Sequence, residues 1–165
     1  EVGILYLSDF NRNFIMKILK SNELEFHSLT NCGVFAYIWK NHPLAKNEFV
    51  TSRDLNFYPC LSFEQGADSS LYLAEEIFLG NEFPQTIKAN DRATMLNLMV
   101  GLNGFTLCSG IICEELNGDE YIAVPFRDES EKDAAMEIGY ITRKNQILSG
   151  VAKLYIENIR QYLNC

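Results

Sequence analysis

Cys60, Ser62, Cys108 and Ser109 carry the thiols and hydroxyls that could attack a carbonyl or phosphoryl centre, and such attack needs a base close enough to take the proton. The two imidazoles are His27, in a segment that reads as strand, and His42, in the turn Asn41-His42-Pro43-Leu44-Ala45. No G-x-S-x-G elbow surrounds either serine. Glu75-Glu76 and Glu114-Glu115 are neighbours in predicted helices, where adjacent side chains diverge, so each pair reads as solvated surface. The five cysteines include no C-x-x-C pair and both histidines lie away from them. Neither a metal site nor a cofactor is expected, and the thiols read as buried packing groups.

Noncovalent binding has more to stand on. The stretch Asn90-Asp91-Arg92-Ala93-Thr94 opens a helical pattern, and a helix start offers N–H groups without internal partners at the positive end of the dipole. Asp91 is equally suited to cap that start and consume those donors, so ligand binding and plain capping both remain open. In Leu61-Ser62-Phe63-Glu64-Gln65-Gly66 an apolar strand ends in hydroxyl, aromatic, carboxylate and amide groups. Ligands of open α/β sheets bind beyond the carboxyl ends of strands, although a polar turn can be no more than a turn.

The elements that would position these groups follow from periodicity. Residues 2–7 read as a strand running into Ser8-Asp9, which can accept from the first N–H groups of a helix, and Phe14, Ile15, Ile18 and Leu19 then recur at helical spacing. Residues 24–29 and 33–40 read as strands, the second apolar enough to be covered on both faces. Pro43 breaks the pattern, and a short helical turn follows Thr51. Strands are expected at 58–63, 85–89, 105–108, 121–126 and 136–143, and helices at 69–78, from Asp91 to Gly101, from Ser109 to Glu115, and from Ser149 onward. The helix after Asp91 should bury Met95, Leu96, Met99, Val100 and Leu102. The last helix should pack through Val151, Leu154, Tyr155, Ile159, Tyr162 and Leu163. The segment 128–133 reads as exposed, and no internal repeat is evident.

With 165 residues, 47% hydrophobic and 22% charged, the chain suits one folded unit or two small lobes. A net charge of −8 with dispersed basic residues argues against direct nucleic-acid contact. No apolar run reaches the roughly 20 residues of a membrane helix, and no basic-then-apolar start marks a signal peptide, so no membrane association and a cytoplasmic location are expected.

In this order the phrases resemble the effector-binding domain of a LysR-type transcriptional regulator. The resemblance is carried by Asn41-His42-Pro43-Leu44-Ala45, similar to the family's H-P-L-A turn, and by residues 50–55 after it. It continues through residues 90–108, similar to its strand end, helix, G-L-G turn and strand, and Tyr140-Ile141-Thr142-Arg143-Lys144 before the last helix. It implies an α/β, two-lobed periplasmic-binding-protein-like (type II) fold. Lobe one would comprise residues 1–58 and 125–165, and lobe two residues 59–124. The family's first two strand–helix units and its DNA-binding domain have no counterpart here, so lobe one is expected to be incomplete and to associate or exchange strands through its open edges.

The implied function is sensing of a small, anionic metabolite in the inter-lobe cleft, coupled to packing in a homodimer or higher oligomer. DNA contact would belong to the missing domain. Carried onto this chain, the effector-binding candidates are Ser8, whose alternative is helix capping, with Ser62, Phe63, Gln65, Thr94, Cys108 and Ser109. A solute-binding or dehydratase-like enzyme domain of the same fold, and a dimerisation fragment without ligand, are the rival readings.

Overall fold

Alternation of apolar and polar residues at both ends of the chain, and continuous apolar runs in its middle, produce two differently built units in the computed structural model. The structure describes residues 1–64, 72, 82–112, 118–127 and 132–163. In chain order the elements are β1 (Gly3–Leu7), α1 (Arg12–Ser21), β2 (Leu24–Gly33), β3 (Phe35–Trp39), α2 (Ser52–Leu55), β4 (Cys60–Phe63), β5 (Thr86–Ala89), α3 (Arg92–Gly101), β6 (Thr106–Cys108), β7 (Tyr121–Pro125), β8 (Ala135–Arg143) and α4 (Gly150–Leu163). The expected helix at 69–78 lies outside the described residues.

One compact unit comprises Glu1–Cys32 with Met136–Cys165, the other Gly33–Ala135. The lobe limits expected from the resemblance, at 59 and 124, fall inside the second unit. There β3 and β7 pair with each other, and β3 with β6, which ties both flanking strands to that sheet.

The first unit is a three-stranded sheet in the order β1-β8-β2. β1 runs antiparallel to β8 with Leu5 opposite Gly139. Ile15 and Leu19, one turn apart on α1, bury against Leu7, with Leu5, Leu24, Phe26 and Ile141 around them. Arg12 bonds Glu137 at 2.8 Å. β2 continues to Gly33, beyond the expected end at residue 29, with Ser28 and Asn31 exposed and its other residues half-buried.

Two of the sequence expectations for helix faces are corrected in part. In α4 the buried side is Ala152 and Ile156, whereas Val151, Leu154, Tyr155 and Tyr162 are 80%, 62%, 49% and 57% exposed. Both sets satisfy a helical period, and the small Ala152 lets the helix lie close along the other stripe. In α3, Met95 and Met99 are buried, while Val100 and Leu102 face solvent on the far side of the helix. Ser149 does open α4 as expected: its hydroxyl accepts from Ala152 N–H at 3.1 Å and donates to Glu1 at 2.8 Å.

In the second unit β4 pairs parallel with β5, and a parallel bridge between Cys60 and Phe105 joins β4 to the strand that becomes β6. β6 and β7 flank β3, both antiparallel to it. The resulting order is β5-β4-β6-β3-β7. Its core is Tyr37, Leu61, Ala89, Met95 and Met99. Leu61 also explains Gly104, where a Cβ would lie 2.8 Å from its Cδ1.

The H-P-L-A turn is a latch on this sheet. His42, 3% exposed, places Nε2 2.9 Å from the Asn103 carbonyl and accepts at Nδ1 from Leu44 N–H at 3.0 Å. Nδ1 therefore carries no proton, and Nε2–H is the donor to Asn103. Trp39 Nε1 donates to Asn103 Oδ1 at 2.8 Å. Asn103 has φ of 51°, a left-handed conformation that asparagine tolerates better than most residues.

Candidate functional site

Because β4, β5 and β6 run parallel, their carboxyl ends meet at one edge of the second unit's sheet, the position where open α/β sheets receive ligands. Ser62 and Phe63 close β4, Ala89 closes β5 just before α3, and Cys108 closes β6 with Ser109 after it. Topology thus brings Ser62, Phe63, Thr94, Cys108 and Ser109 to one edge. Gln65 lies outside the described residues.

Phe63 and Cys108 are partly buried against the Leu61–Met95–Met99 cluster, and Ser62 is half-buried. Cys108 Sγ accepts from Gly110 N–H at 3.4 Å, and Ser109 Oγ from Ile111 N–H at 3.3 Å. The Ser109 contact is a local turn; residues 109–112 are not helical, which corrects the expected helix over that part. Residues 113–117 lie outside the described set.

At α3 the choice between ligand and cap resolves toward the cap. Asp91 Oδ1 accepts from Thr94 N–H at 2.9 Å, and Oδ2 accepts from the Thr94 hydroxyl at 2.7 Å. The Thr94 donors are thereby engaged, leaving its hydroxyl oxygen as an acceptor. The Thr94 backbone N–H, then its hydroxyl, hold the Asp91 carboxyl below its ordinary range. An Asp91→Ala variant is expected to melt at a lower temperature than the parent at neutral pH, with the difference disappearing as pH falls through the Asp91 pKa and the carboxylate is protonated; circular dichroism across pH checks this.

Ser8 belongs to the first unit, at the end of β1. It does not cap α1: Asn11 is the residue before the helix, and its side chain accepts from Ser8 N–H at 2.8 Å and donates to the Tyr6 carbonyl at 3.2 Å. Ser8 is 2% exposed and its hydroxyl has no hydrogen-bond partner among the described residues.

The residue that sequence reading passed over is Tyr37. In β3 it sits opposite Thr106, two residues from the Phe35–Cys108 pair, and its ring lies 5.6 Å from that of Tyr121. It is 6% exposed and its hydroxyl has no partner among the described residues. Burial pushes its phenol upward, the Arg92 charge pulls it down, and Cys108 and Tyr121 add smaller upward effects. A tyrosine inside an otherwise apolar strand was the available signal, since its hydroxyl needs a partner when buried.

Among the described residues no three His, Cys, Asp or Glu side chains gather as a metal site. Among the described residues Cys32, Cys60 and Cys108 form no disulfide, and each is half-buried rather than fully buried as expected. No helix among the described residues is long and apolar enough to cross a membrane.

The model of the LysR substrate binding domain matches residues 13–164. The chain belongs to the LysR substrate-binding domain family. The fold is accordingly the periplasmic-binding-protein-like type II fold. Solved LysR-type structures agree in fold: the oxidized form of OxyR is 18% identical with a TM-score of 0.61, covering 99% of this chain and 72% of that one. The effector-binding domain of QuiR in complex with shikimate is 17% identical with a TM-score of 0.56, covering 98% and 70%. HinK, a LysR family regulator from Pseudomonas aeruginosa, is 19% identical with a TM-score of 0.60, covering 98% and 52%. A comparison with curated proteins gives no match.

Proposed function

We propose that this LysR substrate-binding domain senses a small anionic metabolite through the carboxyl-terminal edge of β4, β5 and β6, acts without catalysis, and works in the cytoplasm as part of a homodimeric or larger regulator. The observation that carries the reading is the convergence of Ser62, Phe63, Cys108 and Ser109 at the end of three parallel strands. QuiR, of the same fold, holds shikimate, a small carboxylate, which supports the class of ligand. Effector binding would alter subunit packing only by as much as its affinity differs between the packings.

A thermal-melt screen against small carboxylates, amino acids and inorganic anions tests it. A binder present at a hundred times its Kd is expected to add about 2.7 kcal/mol of apparent stability. Ser62→Ala should weaken that compound roughly tenfold, the loss of one hydrogen bond to a charged group. A flat response to every compound would remove the anionic-effector reading, and turnover of a bound compound would replace sensing with catalysis.

A further inference from the structure

Two tyrosines lie side by side under α3, and they differ in one respect. Tyr121 donates its hydroxyl to the Leu96 carbonyl at 3.4 Å. Tyr37, buried more deeply at 6% exposure, has a hydroxyl with no partner among the described residues. Folding removes that hydroxyl from water without compensation, and buried hydroxyls of native proteins are paired as a rule.

The surroundings identify what would pair with it. Tyr37 shares its buried cluster with Ala89, the last residue of β5, and with Met95 of α3. Cys108, the last residue of β6, packs against the same cluster, so Tyr37 lies beneath the start of α3 and beside the end of β6. The donors of the α3 start are directed at Asp91, whose carboxylate accepts from the Thr94 backbone and hydroxyl, with a further contribution from Ala93. An incoming anion therefore meets Asp91 rather than free helix N–H groups. Among the described residues around this edge, the Tyr37 hydroxyl is a buried donor that the fold holds unspent.

We infer that the Tyr37 hydroxyl is a recognition donor for a carboxylate oxygen of the effector. This rests on the effector reading of the same sheet edge and adds the group that selects the ligand. A phenol O–H on a carboxylate is a charge-assisted hydrogen bond, stronger than a neutral pair. Built into a dry, apolar setting, it discriminates against a ligand that lacks the acceptor, because the hydroxyl would again be left alone.

The test uses the whole chain and Tyr37→Phe, which removes only the oxygen, with Ser62→Ala as the reference variant. The probes are benzoate and shikimate and their methyl esters, read by melting temperature and isothermal titration. Without ligand, Tyr37→Phe is expected to melt a few degrees above the parent, since it deletes an unpaired buried hydroxyl. The carboxylate that binds the parent is expected to lose tenfold or more in affinity to Tyr37→Phe, and its ester is expected to bind the parent that much more weakly. A lower melting temperature for Tyr37→Phe would assign the hydroxyl a structural partner and overturn the inference whatever the ligands do. Carboxylate binding that Ser62→Ala weakens and Tyr37→Phe leaves unchanged would overturn the inference while the effector reading stands. Parent protein that binds neither carboxylate overturns the carboxylate assignment of Tyr37, and the wider screen then decides the effector reading separately.

Discussion

Gly139→Ala is expected to destabilise the first unit by on the order of 3 kcal/mol, because overpacking against a rigid neighbour leaves little room to relax. Gly139 sits mid-strand in β8, opposite Leu5 of β1, and an added Cβ would collide with Phe26 Cζ and lie 2.5 Å from the His27 carbonyl oxygen of β2. A flexible side chain can yield; the backbone carbonyl cannot without parting β2 from β8. Phe26 belongs to the packing around Leu7, Ile15 and Leu19, so the displacement reaches the core of the unit. Gly101→Ala provides the contrast. Nothing lies within 4 Å of a Cβ there, and alanine in place of glycine at a helical position stabilises by about 0.5–1 kcal/mol at most. Urea titration of the two variants should move the midpoint in opposite directions. Equal midpoints would mean that β2 does not approach β8 as closely as Phe26 and His27 indicate.

His42→Ala is expected to cost the second unit about 2–4 kcal/mol, since two buried polar groups, the Asn103 carbonyl and the Leu44 N–H, lose their partner together. Asn103→Gly separates the parts of the latch. It keeps the backbone carbonyl that His42 holds and suits the positive φ, but removes the side-chain oxygen that accepts from Trp39, so a loss of about 1 kcal/mol is expected. The latch also makes a pH signature. Burial, outweighing the Asn103 contact, holds the His42 pKa below its ordinary 6.5. Above that pH both folded and unfolded chains carry neutral His42 and the stability is complete. As pH falls below 6.5 the unfolded chain takes up a proton that the folded chain refuses, and stability declines until the folded pKa has been passed. The parent should therefore lose stability between pH 6.5 and the carboxylate range, a slope that His42→Gln should lack. Identical slopes in both proteins would show that His42 does not hold its neutral form.

Local signals were legible in the sequence and long-range ones were not. Asp91 could be recognised as a cap because donor and acceptor lie three residues apart, and Ser149 likewise three residues before Ala152. The apolar run of β3 correctly announced a strand covered on both sides. The outer face of α4 was misread because Val151, Leu154 and Tyr155 are larger than Ala152, and hydrophobicity alone favours the larger set; only the packed sheet selects the smaller one. The H-P-L-A turn could be recognised as a family phrase, yet its physical work depends on Asn103, 61 residues further on. Among the candidate site residues, strand ends pointed to Ser62, Phe63, Cys108 and Ser109, whereas Tyr37 was hidden among core residues. Its distinction is an oxygen that finds no partner, which no spacing rule reports.

The division of the chain has a consequence for the order in which it can fold. Gly33–Ala135 is continuous, so the second unit can complete itself while the remainder of the polypeptide is still being synthesised. The first unit cannot, because β1 must wait for β8, with Gly3 opposite Ile141. Until then β1, α1 and β2 are a nascent segment with apolar faces uncovered, and closing that long loop carries an entropic cost that the continuous unit avoids. Synonymous changes that slow translation after residue 135 would lengthen that exposed interval, so soluble yield in the cell would depend on translation speed over a part of the message whose encoded residues are unaltered.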